Sequence, residues 1–89
     1  MATNTVTIRR IAGELMFLDS ATDLLTELVN EHRARQIAVR LSIAGRQILD
    51  SPTLSVGEAT RLGEHIKSLI DRSGCDGTAT VTLHVTLLT

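Results

Sequence analysis

Three histidines and one cysteine are the side chains in this 89-residue chain best suited to bind a metal or act as a nucleophile: His32, His65, His84 and Cys75. None of them falls at a C-x-x-C, H-x-x-x-H or H-x-x-E spacing, so no two are set one helical turn or one tight loop apart, as a metal centre requires. Cys75 sits in "RSGCDG", just after a predicted helix C-terminus, where the negative end of the helix dipole opposes the thiolate that a nucleophile needs. His32 extends an apolar helical stripe and reads as a partly buried helix end. Glu64 and His65 read as a solvated pair. The six glycines form no phosphate-cradling run. Nothing supplies a nucleophile, a base and an orienting group together, and the chain is read as a non-enzyme with no metal and no cofactor.

A second group of residues is better suited to binding. Arg9, Arg40, Thr80, Thr82, His84 and Thr86 all fall on the polar parity of alternating segments, together with Thr5, Thr7 and Ser42. If those segments are strands of one sheet, the residues share one face. Two guanidinium groups among hydroxyls would form a platform for a carboxylate, a phosphate or a partner sheet. RNA-binding sheets stack bases on strand aromatics, but these positions hold Thr and Arg, so nucleic acid is possible but not favoured. Arg33, Arg35, Arg40 and Arg46 also cluster in sequence, where Glu27, Glu31 and the end of the first predicted helix balance them.

The elements that must position these residues are legible from periodicity. Asn4–Ile11 alternates Val6 and Ile8 against Thr and Arg, the period of a half-buried strand. Gln36–Ile43 repeats the plan with Ile37, Val39, Leu41 and Ile43 on one side. A turn is predicted at Ala44-Gly45, and the chain returns as "RQILD". The phrase "IAGELMFLDSAT" at Ile11–Thr22 resembles "IAGRQILDSPT" at Ile43–Thr53. By analogy, Gly13 is expected to turn a first hairpin whose second strand is Glu14–Asp19; the alternative makes Glu14–Asp19 a continuation of the first strand or a connector. Ser20 with Asp23, and Ser55 with Glu58, carry the spacing of N-terminal capping boxes.

Two helices follow these caps. The first carries the stripe Ala21, Leu24, Leu25, Leu28, Val29, and the second carries Ala59, Leu62, Ile66, Leu69, Ile70 and ends at Gly74. Gly63, inside the second helix, implies a close approach to the sheet, because an interior glycine costs roughly 1 kcal/mol relative to alanine. The last segment alternates Val81, Leu83, Val85 and Leu87 against Thr80, Thr82, His84 and Thr86.

The predicted order is β(β)αββαβ. This is an α+β fold in which an antiparallel sheet of four to five strands carries two helices on one face, ferredoxin-like or a related two-layer sandwich. The likeness rests on element order and carries no function. A ferredoxin-like order puts the final strand at an edge. From Gly77 to Thr89 there is no charge and no proline, although natural edges use both to discourage pairing. Either this strand is central, or another chain covers it; the second option predicts a homodimer or a bound peptide strand.

Residues 1–89 are read as one domain, near the small end of what a single core stabilises unaided. Phe17 is the only aromatic residue, so thirteen Leu and seven Ile fill most of the interior. The formal charge of −1 gives no chain-wide attraction to polyanions. A single cysteine fits a reducing compartment. No secretory pattern or membrane-length apolar run is read in the chain. The expectation is therefore a cytoplasmic, non-membrane protein. Its expected role is that of a small interaction or regulatory protein, binding a protein partner through a sheet edge or open face. The alternative is a ligand- or nucleic-acid-binding module using Arg9, Arg40 and His84.

Overall fold

The computed structural model of the chain describes residues 2–17 and 19–89. The elements run β1 (Thr3–Ile11), α1 (Ala12–Leu15), α2 (Ser20–His32), β2 (Gln36–Ile43), β3 (Arg46–Asp50), β4 (Leu54–Ser55), a single 3₁₀ turn (Val56–Glu58), α3 (Ala59–Arg72) and β5 (Thr80–Leu88). They form one antiparallel five-stranded sheet in the order β1-β5-β2-β3, with β4 also pairing with β2. Since β1 and β2 both run antiparallel to β5, they are parallel to each other and are joined across it through α2. By the same reasoning β3 and β5 are parallel and are joined across β2 through α3. The chain is thus two interlocked split β-α-β units.

Alternation along the strands divides the sheet into two faces. Val81, Leu83, Val85 and Leu87 are fully buried, as are Ile37 and Leu41, and Val39 and Ile43 nearly so. These side chains share one core with Ala21, Leu25 and Leu28 of α2 and Leu62, Ile66 and Ile70 of α3. Both long helices therefore cover the same face, which makes the fold an α+β two-layer sandwich. The stripes read from the sequence are the faces that turn inward, although Leu24, Val29 and Leu69 are only half-buried.

The last strand is central. β5 is hydrogen-bonded to β1 along one side and to β2 along the other, over its whole length. The strand order therefore departs from the ferredoxin-like one, and the absence of charge from β5 is explained by enclosure rather than by a covering partner. The edges are β1 on one side and β3 with β4 on the other.

Several local expectations change. Among the described residues no hairpin forms after β1: Ala12–Leu15 winds into the short α1, and Met16, Phe17 and Asp19 belong to no strand. Leu18, part of the expected second strand, lies outside the described residues. Gly13 has no positive φ; its N–H donates to the Gly77 carbonyl at 2.9 Å, which ties α1 to the loop before β5. The Ala44-Gly45 turn forms as expected, with φ of 51° and 82° at its two residues, as a tight hairpin turn that matches the sheet twist requires.

Ser20 is the first helical residue of α2 rather than its cap, and its hydroxyl donates backward to the Phe17 carbonyl. Ser55 precedes the 3₁₀ turn and makes no side-chain cap bond, because that extra turn displaces the start of α3 to Ala59. Gly63 does mark a close approach, but to α2 and not to the sheet. A Cβ there would lie 2.8 Å from the Thr22 backbone nitrogen and closer still to its Cα and Oγ1.

Candidate binding face

Among the described residues no element covers the face opposite the helices. Its residues fall into rows that follow from the strand registers. Thr7 of β1, His84 of β5, Arg40 of β2 and Asp50 of β3 stand side by side across four strands. Toward one end the next row is Arg9, Thr82, Ser42 and Gln47; toward the other it is Thr5, Thr86 and Ala38. Side chains directly opposite on neighbouring strands have Cβ atoms about 5 Å apart, so each row is a line of interacting groups.

The fourth member of the central row is there because of a bulge. Arg40 pairs with Asp50 and Leu41 with Leu49, but Ser42 pairs with Gln47, which leaves Ile48 as an extra residue in β3. Without it, Asp50 would stand opposite Val39 on the buried parity. One inserted residue reverses which face the rest of a strand presents, and here it brings a carboxylate beside Arg40. The Ser51 N–H donates to the Val39 carbonyl and the Val39 N–H to Ser51 Oγ, both at 2.8 Å, fixing the chain as it leaves β3.

A groove of about 390 Å³ lies over Ala38, whose methyl group leaves a depression among longer neighbours. Arg40, Asp50, His84, Thr5, Thr86 and Thr53 surround it. The Thr7 hydroxyl is 3.1 Å from His84 Nδ1 and orients the half-buried ring, whose Nε2 has no hydrogen-bond partner among the described residues. Among the described residues Arg40 takes part in no ion pair, although Asp50 is its neighbour in the row. The described ion pairs are Arg10–Glu14, Arg61–Glu58 and Lys67–Asp71. An unpaired guanidinium beside an oriented imidazole can donate to a carboxylate or another planar anion.

All six residues singled out from sequence, Arg9, Arg40, Thr80, Thr82, His84 and Thr86, lie on this uncovered face. They do not form one cluster. Arg40, His84 and Thr86 line the groove together. Arg9 and Thr80 line a separate depression of about 460 Å³ with Arg10, Ile11 and Glu14, and Thr82 stands between the two. Asp50, Thr53 and Ala38 were missed. The bulge hid Asp50, Thr53 lies in the loop after β3, and Ala38 contributes by being small.

Cys75 is half-buried with its Sγ 3.9 Å from the Ile70 carbonyl. Among the described residues no group of His, Cys, Asp and Glu is arranged to hold a metal ion. Asp76 lies in the turn before β5. Hydrogen bonds from the Thr78 hydroxyl and N–H hold its carboxyl below the usual carboxylate value. That turn is an Asx turn, a structural device. No helix among the described residues is long and apolar enough to cross a membrane. The chain matches no protein-family model, and no curated protein sequence matches it.

Proposed function

We propose that the protein is a small non-enzymatic binding module, of the adaptor or regulatory kind, that holds a protein partner against its uncovered sheet face. A carboxylate of that partner seats between Arg40 and His84. The observation that carries this reading is the central row: Arg40 has no ion pair among the described residues, and it stands next to a histidine whose Nδ1 is already engaged by Thr7. Thr5, Thr53 and Thr86 at the rim of the groove supply hydroxyls for the partner's backbone. A single cysteine and the lack of any described membrane-length helix fit a cytoplasmic setting.

The test begins with capture of proteins from source-cell extract on the immobilised chain. The captured protein is identified and purified, then titrated calorimetrically against the parent and two variants. Arg40→Ala is expected to weaken binding by about tenfold or more, the worth of a charge-assisted hydrogen bond. Arg61→Ala, on the helix side, is expected to change it by less than about twofold. The opposite pattern would move the interface to the helices and overturn the reading.

A further inference from the structure

The edge strand β1 has its outer side open. The Ala12 N–H donates to the Ala79 carbonyl at 2.8 Å, and the Thr89 N–H to the Ala2 carbonyl at 3.0 Å. These bonds mark the two ends of the β1–β5 ladder, and antiparallel ladders alternate. The even-numbered residues of β1 therefore direct their backbone groups toward β5. Thr3, Thr5, Thr7, Arg9 and Ile11 direct theirs outward, where no strand among the described residues meets them. The strand has no bulge in its pairing with β5, no proline, and no charge before Arg9. The usual protections of an edge are thus missing from most of its length. The one device present is local: Arg10 Nη1 donates to the outward carbonyl of Arg9 at 2.9 Å.

The sequence of β1 is complementary to itself when read antiparallel about Thr7. We propose that β1 pairs with β1 of a second copy of this chain, about a two-fold axis through Thr7, joining two sheets into one. This inference is independent of the reading of the open face. In that register all of Thr3–Ile11 finds a partner: Thr7 opposite Thr7, Thr5 opposite Arg9, and Thr3 opposite Ile11 make about ten backbone hydrogen bonds. The close, non-hydrogen-bonded positions set Val6 against Ile8 of the second copy, twice, matching apolar to apolar on the helix side. Asn4 faces Arg10, so the arginines of the two strands stand at opposite ends and never oppose each other. Val6 is half-buried and Ile11 is 45% exposed in the single chain; both gain a cross-strand neighbour.

A short strand pair buries less than a standard interface, so the dimer is expected to assemble reversibly over micromolar concentrations. Sedimentation equilibrium across a concentration series reads it. The parent is expected to shift from monomer to dimer, and Thr7→Glu and Thr7→Lys are each expected to stay monomeric, because like charges meet at the axis. A mixture of the two is expected to recover the dimer mass. Thr5→Pro removes an outward N–H and no bond to β5, so it is expected to lose the dimer while keeping the parent's circular dichroism. A parent that remains monomeric to about 1 mM, as it would if only a foreign peptide fitted this edge, overturns the proposal. Dimers that persist in both Thr7 variants, or variants that do not recombine when mixed, overturn it as well.

Discussion

Arg40 stands opposite Asp50 across the β2–β3 pairing, on the uncovered face, because Ile48 is one residue more than the ladder can pair. The carboxylate is close enough to temper the field of the guanidinium without forming an ion pair with it. Removing its charge should therefore strengthen the attraction of an acidic partner. Asp50→Asn is expected to tighten binding about three- to tenfold at low salt, with a smaller gain at high salt as screening sets in. Calorimetric titration at two ionic strengths checks this. Weakened binding would mean that Asp50 itself holds the partner.

Gly63 and Thr22 fix the spacing of α3 against α2. A methyl group at Gly63 meets the Thr22 backbone, which cannot rotate away, so the helices must separate or tilt. Gly63→Ala is expected to destabilise the protein by roughly 2 kcal/mol, even though alanine is the better helix former. Urea denaturation gives the value. A stabilised variant would show that the helices are not in close contact there.

Among the described residues two non-glycine residues have positive φ, Arg33 at the end of α2 and Ala44 in the β2–β3 turn, each with φ of 51°. A side chain in that conformation costs about 1 kcal/mol, which glycine avoids. Arg33→Gly and Ala44→Gly should each raise stability by about 0.5–1 kcal/mol, less than the full strain because glycine also loosens the unfolded chain. Thermal melts of the two variants test the expectation. No gain in either would mean that the turn is held by something other than backbone preference.

Asp76 links stability to pH. Its carboxyl is held below its ordinary value, chiefly by the Thr78 hydroxyl and then by the Thr78 N–H. A group whose folded pKa is depressed contributes stability that is present above its unfolded value, near 4. That contribution is lost as pH falls through the lower folded value. The parent should lose stability on acidification below about pH 4, and Asp76→Asn should show a shallower loss over the same window. Equal slopes for the two proteins would remove Asp76 from the linkage.

The apolar stripes made the two-layer fold legible, because only one sheet face and one face of each helix can meet in a common core. The polar parity of β1, β2 and β5 was legible for the same reason, and it located Arg40 and His84 on the open face. Strand order was not. The uncharged β5 is compatible with either a central strand or a covered edge, and only the pairing partners distinguish them. The two IAG phrases were misleading. At Ile43 the tripeptide turns a hairpin with positive φ at Ala44 and Gly45, whereas at Ile11 it opens a helical turn bonded to the loop before β5. The same three residues accept both conformations, and tertiary contacts decide between them. The bulge at Ile48 left no mark in "RQILD", so Asp50 could not be assigned to a face.

The uncovered sheet face is tested most directly by thiol labelling along β5. In a Cys75→Ser background, single cysteines are placed at Thr82, His84 and Thr86, and separately at Val81 and Leu83. Native protein is expected to be labelled rapidly at positions 82, 84 and 86, and at 81 and 83 only after denaturant is added. Protection of 82, 84 and 86 equal to that of 81 and 83 would mean that both faces of the sheet are covered, and would contradict the account.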